Sequence, residues 1–307
     1  VSAEFERIAV LGIGLIGSSI CHAVKKYGGA KDIVGHAKSA ETRRIALELD
    51  LVSKVFEEPA DAVKGADLII LCAPIGVCGT ITRAIGPFVE PGAIVTDVSS
   101  VKAAIVRDCA PHIPKHAHFI PGHPIAGTEQ SGPRSGFADL FQNRWFVLTP
   151  VAGSDEAMVA KLEDFWQRLG SKVDRMSVDH HDLVLAMTSH LPHLIAYNSV
   201  ATAADLEEVT QSEVIKFSAG GFRDLTRIAA SDPTMWRDVF LNNREAVLEM
   251  LGRFMEELSV LQRAIRWGDG ETLFNLFTRA REVRKGIIAA GQDTAAPDFG
   301  RDPSHKN

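Results

Sequence analysis

The most constraining feature of the chain is Gly12-Ile13-Gly14-Leu15-Ile16-Gly17, a G-x-G-x-x-G pattern between a β-type apolar run (residues 7–11) and a helix-like stretch (15–27). At a strand-to-helix turn each glycine has its own physical task. Gly12 permits the tight turn, Gly14 lets the backbone approach a pyrophosphate, and Gly17 lets helix and strand pack closely. Unpaired N–H groups of the first helical turn, which holds Leu15 and Ile16, then face the phosphates. A dinucleotide-binding βαβ unit is expected. The next hundred residues agree with it. Residues 32–37, 68–73, 93–98 and 118–122 are strand-like, and 40–49 and 101–109 helix-like. The run 68–73 is continuously apolar, as suits a strand buried on both faces. Strands alternating with helices predict an α/β doubly wound parallel sheet of Rossmann type. Residues 144–149 and 173–176, flanking a helix over 156–169, are expected to extend that sheet.

After residue 177 the strands stop and the pattern is helical. At about 150 residues per domain, 307 residues suggest two. The expected division is a dinucleotide-binding domain (1–176), an all-α domain (177–292) and a mobile Pro/Gly/Asp/Lys-rich tail (293–307). Asp232-Pro233 reads as an N-cap followed by proline at the first helical position. Beyond it, Val247, Leu251, Phe254, Leu258, Leu261 and Ile265 alternate at spacings of four and three, a heptad-like seam. Either an intramolecular packing face or a helix pair shared across a homodimer accounts for it.

A net charge of −6 argues against a general binder of nucleic acid or anionic membrane. The four cysteines form no C-x-x-C pair, no apolar run is long enough to span a bilayer, and no signal-like segment opens the chain, so a cytoplasmic setting with reduced thiols is expected. No H-E-x-x-H occurs, and the neighbouring His180 and His181 point to different helix faces, so no metal site is expected.

An acidic residue gripping the ribose 2′-hydroxyl belongs about 20 residues beyond the glycines. The sequence there is Gly35-His36-Ala37-Lys38-Ser39, without an acid. Lys38 and Ser39, with Arg43 and Arg44, suit a 2′-phosphate, or are solvated residues of a helix start. Two histidine segments stand out: Pro121-Gly122-His123-Pro124-Ile125-Ala126-Gly127-Thr128-Glu129 after a strand, and Ser189-His190-Leu191-Pro192-His193 inside a helix that its proline should disturb.

These blocks, with Asp97-Val98-Ser99-Ser100-Val101-Lys102, Phe222-Arg223-Asp224-Leu225-Thr226-Arg227-Ile228-Ala229 and Asp232-Pro233-Thr234-Met235-Trp236, make the chain resemble the prephenate/arogenate dehydrogenase family of tyrosine biosynthesis. The resemblance implies oxidative decarboxylation of prephenate and/or arogenate with hydride transfer to NAD(P), in a homodimer joined through C-terminal helices. It implies His123 as the base at the ring 4-hydroxyl and Ser100 sharing that hydroxyl. Arg227 holds a substrate carboxylate, His193 places the substrate, Trp236 walls the site, and Glu129 and Asp224 act as ion-pairing or gating positions. The site should lie between the two domains. Family habit favours NAD and local charge favours NADP; NAD is preferred here. The length leaves no room for a fused mutase or regulatory domain, so a single-function dehydrogenase is expected.

Two alternatives remain. The β-hydroxyacid dehydrogenases share the layout but use a lysine on the helical domain's first long helix, and residues 179–204 contain no lysine. A nucleotide-sensing, helix-dimerised regulator would not need His123, Ser100 and Arg227 together.

Overall fold

The structure is a computed structural model and describes residues 4–210 and 216–289. The chain divides into two compact units, residues 1–248 and 249–307. The first opens with β1 (Phe5–Leu11), α1 (Leu15–Tyr27), β2 (Ala30–His36), α2 (Ala40–Glu48), β3 (Lys54–Phe56), α3 (Pro59–Ala62), β4 (Leu68–Leu71) and α4 (Ile75–Ile85). It continues with β5 (Ile94–Asp97), α5 (Lys102–Cys109) and β6 (His118–Phe119). These strands form a six-stranded parallel sheet in the order β3-β2-β1-β4-β5-β6, the Rossmann order. The order reverses between β1 and β4, so the ligand crevice of such a sheet lies beyond their carboxyl ends. Every residue of β4 is fully buried, as its unbroken apolar run requires.

The sequence-based expectation of one extended sheet is corrected here. β7 (Gly122–Pro124), β8 (Trp145–Leu148) and β9 (Lys172–Arg175) form a separate three-stranded sheet, antiparallel between β7 and β8 and parallel between β8 and β9. Residues 118–122, read as one strand, are split between the sheets. The Ile120 N–H still reaches the Val95 carbonyl, but Pro121 has no N–H to continue the ladder. The Gly122 N–H then goes to the Asp97 carboxylate (3.1 Å) instead of a backbone carbonyl. The chain turns out of the large sheet and His123 pairs opposite Val147. α6 (Glu156–Arg168), capped by Asp155, covers the small sheet and buries Trp166. The indole stacks on Phe146 at 3.8 Å and meets Phe141 and Phe165 edge-on.

The strands end with β9, and the helices that follow up to Asn242 belong to the same compact unit. They are α7 (Val178–Leu185), a π-helical turn (Ala186–His190), α8 (Leu191–Thr210), α9 (Gly220–Thr226) and α10 (Pro233–Asn242). Asp232 caps α10 by accepting from the Met235 N–H, with Pro233 at the first turn as expected. α11 (Arg244–Trp267) carries the heptad-like seam, beginning after a break at Asn243. The second unit comprises the rest of α11 and α12 (Gly270–Ala289), which keep many large apolar side chains in the open, among them Trp267 at 78% and Phe274 at 70% exposure. The expected tail, 293–307, lies outside the described residues. Among the described residues no helix is long and apolar enough to cross a membrane.

Residues 133–137 lie against α1. The Phe137 N–H donates to Ser19 Oγ (3.2 Å), and Gly136 packs so closely that a side chain there would collide with Ser18.

The glycine turn yields a stability test. A Cβ on Gly17 would overlap the Gly12 carbonyl oxygen, whereas one on Gly14 would meet nothing within 4 Å. Gly17→Ala should cost about 1–3 kcal/mol, the usual scale of overpacking, and lower the melting temperature by several degrees in differential scanning fluorimetry. Gly14→Ala should leave it nearly unchanged.

Candidate active site

At the nucleotide end, Gly12 adopts φ +109°, and a Cβ there would lie 2.7 Å from the Cys72 carbonyl group. β1 and β4 therefore approach each other closely at their carboxyl ends. Gly14 is the N-cap of α1, without a side-chain cap and with no acidic residue in the first turn. Ser18 and Ser19 turn their hydroxyls back onto the Gly14 and Leu15 carbonyls. The N–H groups of the first turn and the open space above Gly14 are left as a cradle for an anion, which fits a dinucleotide pyrophosphate. Around the second strand's end the cations are mostly committed. Arg43 donates to the Ala37 and Lys38 carbonyls and pairs with Glu57. Arg44 pairs with Glu41 and Glu48. Ser39 caps α2 by accepting from the Thr42 N–H, and Lys38 is exposed.

The carboxyl end of β5 carries a buried ionic clamp. Asp97 and Lys102 are both fully buried, and the Lys102 ammonium lies 2.5 Å from Asp97 Oδ2 and 2.5 Å from the Gly122 carbonyl oxygen. Asp97 also accepts from the N–H groups of Ser99 and Gly122. Burial pulls the ammonium's pKa below its usual value, while Asp97 works to restore it. The backbone on the N-terminal side of His123 is thus held by both its N–H and its C=O.

The His123 ring is fixed separately. Its Nδ1 lies 2.9 Å from His181 Nε2, and His181 Nδ1 lies 2.8 Å from Asp182 Oδ1. Asp182 in turn caps α5, accepting from the Lys102 N–H at 2.7 Å and the Ala103 N–H at 2.8 Å. Burial is the largest influence on both histidines and disfavours their charged forms, pushing His123 well below its ordinary value and His181 down as well. His123 is lowered further by neighbouring His181, Lys102 and His190, whereas Asp182 opposes the shift at His181. Burial also works against the Asp182 carboxylate, but the His181 and backbone hydrogen bonds outweigh it and hold its pKa low. With Asp182 ionised, one proton arrangement satisfies every contact: His181 donates from Nδ1, and His123 donates from Nδ1 to His181 Nε2. His123 Nε2 is then a bare acceptor.

The π turn sets the second group of histidines. Nine residues at about 100° each would put His190 on the far side of a regular helix from His181; one extra residue in a wide turn swings it about 100° nearer. Asn243 Nδ2 bridges the Asp182 carbonyl (2.9 Å) and His190 Nδ1 (3.0 Å), and the other ring nitrogen of His190 turns toward the Ser100 backbone without reaching hydrogen-bond geometry. Burial pushes the His190 pKa down to about 4. His193 is tied through Nδ1 to the Ser189 carbonyl and stacks on the buried Trp236 at 3.7 Å. Arg227, half-exposed, lies 3.4 Å from the Glu129 carboxylate, a long contact for a charged pair.

Of the residues singled out from the sequence, the structure brings His193 onto Trp236 and Arg227 onto Glu129. Ser100 lies half-buried in the β5–α5 turn, beside His190. Asp224 is exposed on α9. Sequence reading missed His181, Asp182, His190 and Asn243 as members of the cluster, and read Asp97 and Lys102 only as parts of a motif. The available signal was an Asp directly after a histidine near a helix start.

Family models for the prephenate dehydrogenase nucleotide-binding domain and dimerization domain match residues 20–175 and 177–279. The chain is 39% identical over 283 residues to a cyclohexadienyl dehydrogenase of Zymomonas mobilis, covering 92% of this chain and 96% of the relative. It is 32% identical to a Bacillus subtilis prephenate dehydrogenase, over 96% of this chain and 79% of that one. Among solved structures, the prephenate dehydrogenase of Aquifex aeolicus with hydroxyphenyl propionate and NAD+ superposes with a TM-score of 0.86 at 30% identity, over 94% of this chain and 99% of that one. A Synechocystis arogenate dehydrogenase gives 0.77 at 28% identity, over 92% and 99%. Glycine turn, histidine cluster and full-length similarity agree: the chain belongs to the prephenate dehydrogenase family.

Proposed function

We propose that the chain catalyses NAD(P)-linked oxidative decarboxylation of prephenate, arogenate or both, giving 4-hydroxyphenylpyruvate or tyrosine. The observation that carries this reading is His123, whose Nδ1 is engaged by His181 at 2.9 Å so that Nε2 is left as the acceptor. The names of the relatives supply the substrate class. The glycine turn at Gly12, Gly14 and Gly17 would hold the dinucleotide, whose nicotinamide would supply the acceptor for the hydride of the ring carbinol. The chain's own groups do the rest. His123 Nε2 takes the hydroxyl proton, and its depressed basicity keeps it neutral and ready at pH 7. Ser100 shares that hydroxyl, His193 and Trp236 place the ring, and loss of CO2 from the opposite ring carbon restores aromaticity. Arg227 takes a substrate carboxylate in place of Glu129; an exposed ion pair is worth at most about 1 kcal/mol, so the exchange costs little. Asp224 sits close in sequence to Arg227 as a further ion-pairing position.

Residues 1–176 serve as the nucleotide-binding part and 177–292 as the substrate and dimerisation part of this reading. Gly12, Gly14, Leu15, Ile16 and Gly17 cradle the pyrophosphate, and Lys38 and Ser39 border the ribose. The commitment of Arg43 and Arg44 to other partners, and of Ser39 to its helix cap, supports NAD over NADP. The open apolar side chains of α11 and α12 support a homodimer, in keeping with the dimerization-domain match.

Absorbance at 340 nm with each substrate against each cofactor tests the activity. NAD reduction is expected, with higher kcat/KM than for NADP; no reduction in any of the four combinations would refute the assignment. His123→Asn should lower kcat by at least about 100-fold with KM little changed, the usual scale of acid–base catalysis. Arg227→Ala should instead raise KM by about 10-fold or more, as loss of a charged hydrogen bond does. In sedimentation velocity the chain should run as a dimer, and Phe274→Asp with Trp267→Asp should shift it to monomer.

A further inference from the structure

The cluster behind His123 contains more than an orienting group. His181 is fully buried and Asp182 nearly so, and together they form a continuous line from the His123 ring to the start of α5. A carboxylate or amide would suffice to hold a ring in place. A second imidazole, itself backed by a carboxylate, is also able to accept a proton. We propose that His181 and Asp182 are a proton relay for His123: as the substrate hydroxyl delivers its proton to His123 Nε2, the Nδ1 proton of His123 passes to His181 Nε2, and the positive charge settles on His181 beside Asp182.

The balance is simple. One O–H bond breaks and one N–H bond forms at His123 Nε2, while one N–H bond breaks at His123 Nδ1 and one forms at His181 Nε2. His123 ends neutral with its two nitrogens exchanged in role, and His181 ends as an imidazolium. Asp182 stays ionised throughout, because it also accepts from the N–H groups at the positive end of α5. The surroundings favour this direction. His123 faces Lys102, His190 and His181, all of which oppose a charge on its ring. His181 also faces Lys102, but has Asp182 at 2.8 Å and Asp97 nearby to support one. The relay answers a problem that the geometry creates: a base buried beside the Lys102 ammonium is available at neutral pH but holds a proton poorly.

The relay rests on the reading of His123 as the base, and two measurements separate them. In the free protein, 15N NMR of the histidine rings should show His123 and His181 protonated at Nδ1 and bare at Nε2 in the neutral range. A His123 ring protonated at Nε2 would overturn the relay whether or not the protein turns over any substrate. The kinetic arm uses His181→Gln, whose side-chain oxygen can still accept from His123 Nδ1 but cannot take the proton. It should lose about 100-fold in kcat with KM within a few fold of wild type; unchanged kcat would show that His181 only orients the ring. Asp182→Asn keeps an acceptor for α5 and removes the charge. It should lower the kcat plateau and move the acid limb of the pH profile to lower pH, since His181 loses the group that favours its protonation. A drop in plateau with the limb unmoved would count against the relay. Absence of turnover in the wild type would refute the assigned activity and leave the tautomer result to decide the relay.

Discussion

The site depends first on the buried pair between Asp97 and Lys102. An ion pair without exposure is costly to desolvate, and removing one member of such a pair typically costs about 3–5 kcal/mol. Here the remaining hydrogen-bonding capacity is spent on backbone. Asp97 takes the N–H groups of Ser99 and Gly122, and Lys102 takes the Gly122 carbonyl. Three chain segments that no regular ladder joins, the end of β5, the start of α5 and the start of β7, are thereby set against one another. His123 follows Gly122 directly, so the position of its backbone is decided by this clamp.

Around the clamp, helix ends and helix irregularities aim the side chains. The first residues of α5 have no side-chain cap of their own, and Asp182 from α7 supplies one across 80 residues of sequence. That same carboxylate orients His181. The π turn then rotates His190 toward the cluster, and Asn243 ties it to the Asp182 backbone. Asn243 thus bonds the backbone before the wide turn and the ring at its end, in a helical irregularity of the kind that often marks functional sites.

Much of the nucleotide half was legible in the sequence because its signals are local. The glycine turn, the apolar run of β4 and the alternation of strand and helix each lie within a dozen residues. The small sheet was harder to read. Its strands are recognisable from composition, but strand pairing is a long-range property, and the only cue was Pro121 at the point where a ladder must stop. The relay was illegible for a related reason: His123 and His181 are 58 residues apart, and the adjacent pair His180-His181 spoke only against a metal site. His193 and Arg227 were found through resemblance, which transfers positions without the packing that explains them.

The two layers of the histidine cluster differ in their contact with solvent. Asp97, Lys102, His181 and His190 are fully buried, while Arg227 and Glu129 meet across a half-open surface. Substitutions in the inner layer disturb a network in which each group completes the valence of another. Those in the outer layer alter a partly exposed ion pair whose members water can solvate in place of each other. The rim can therefore change in sequence while the buried network beneath it keeps its bonds.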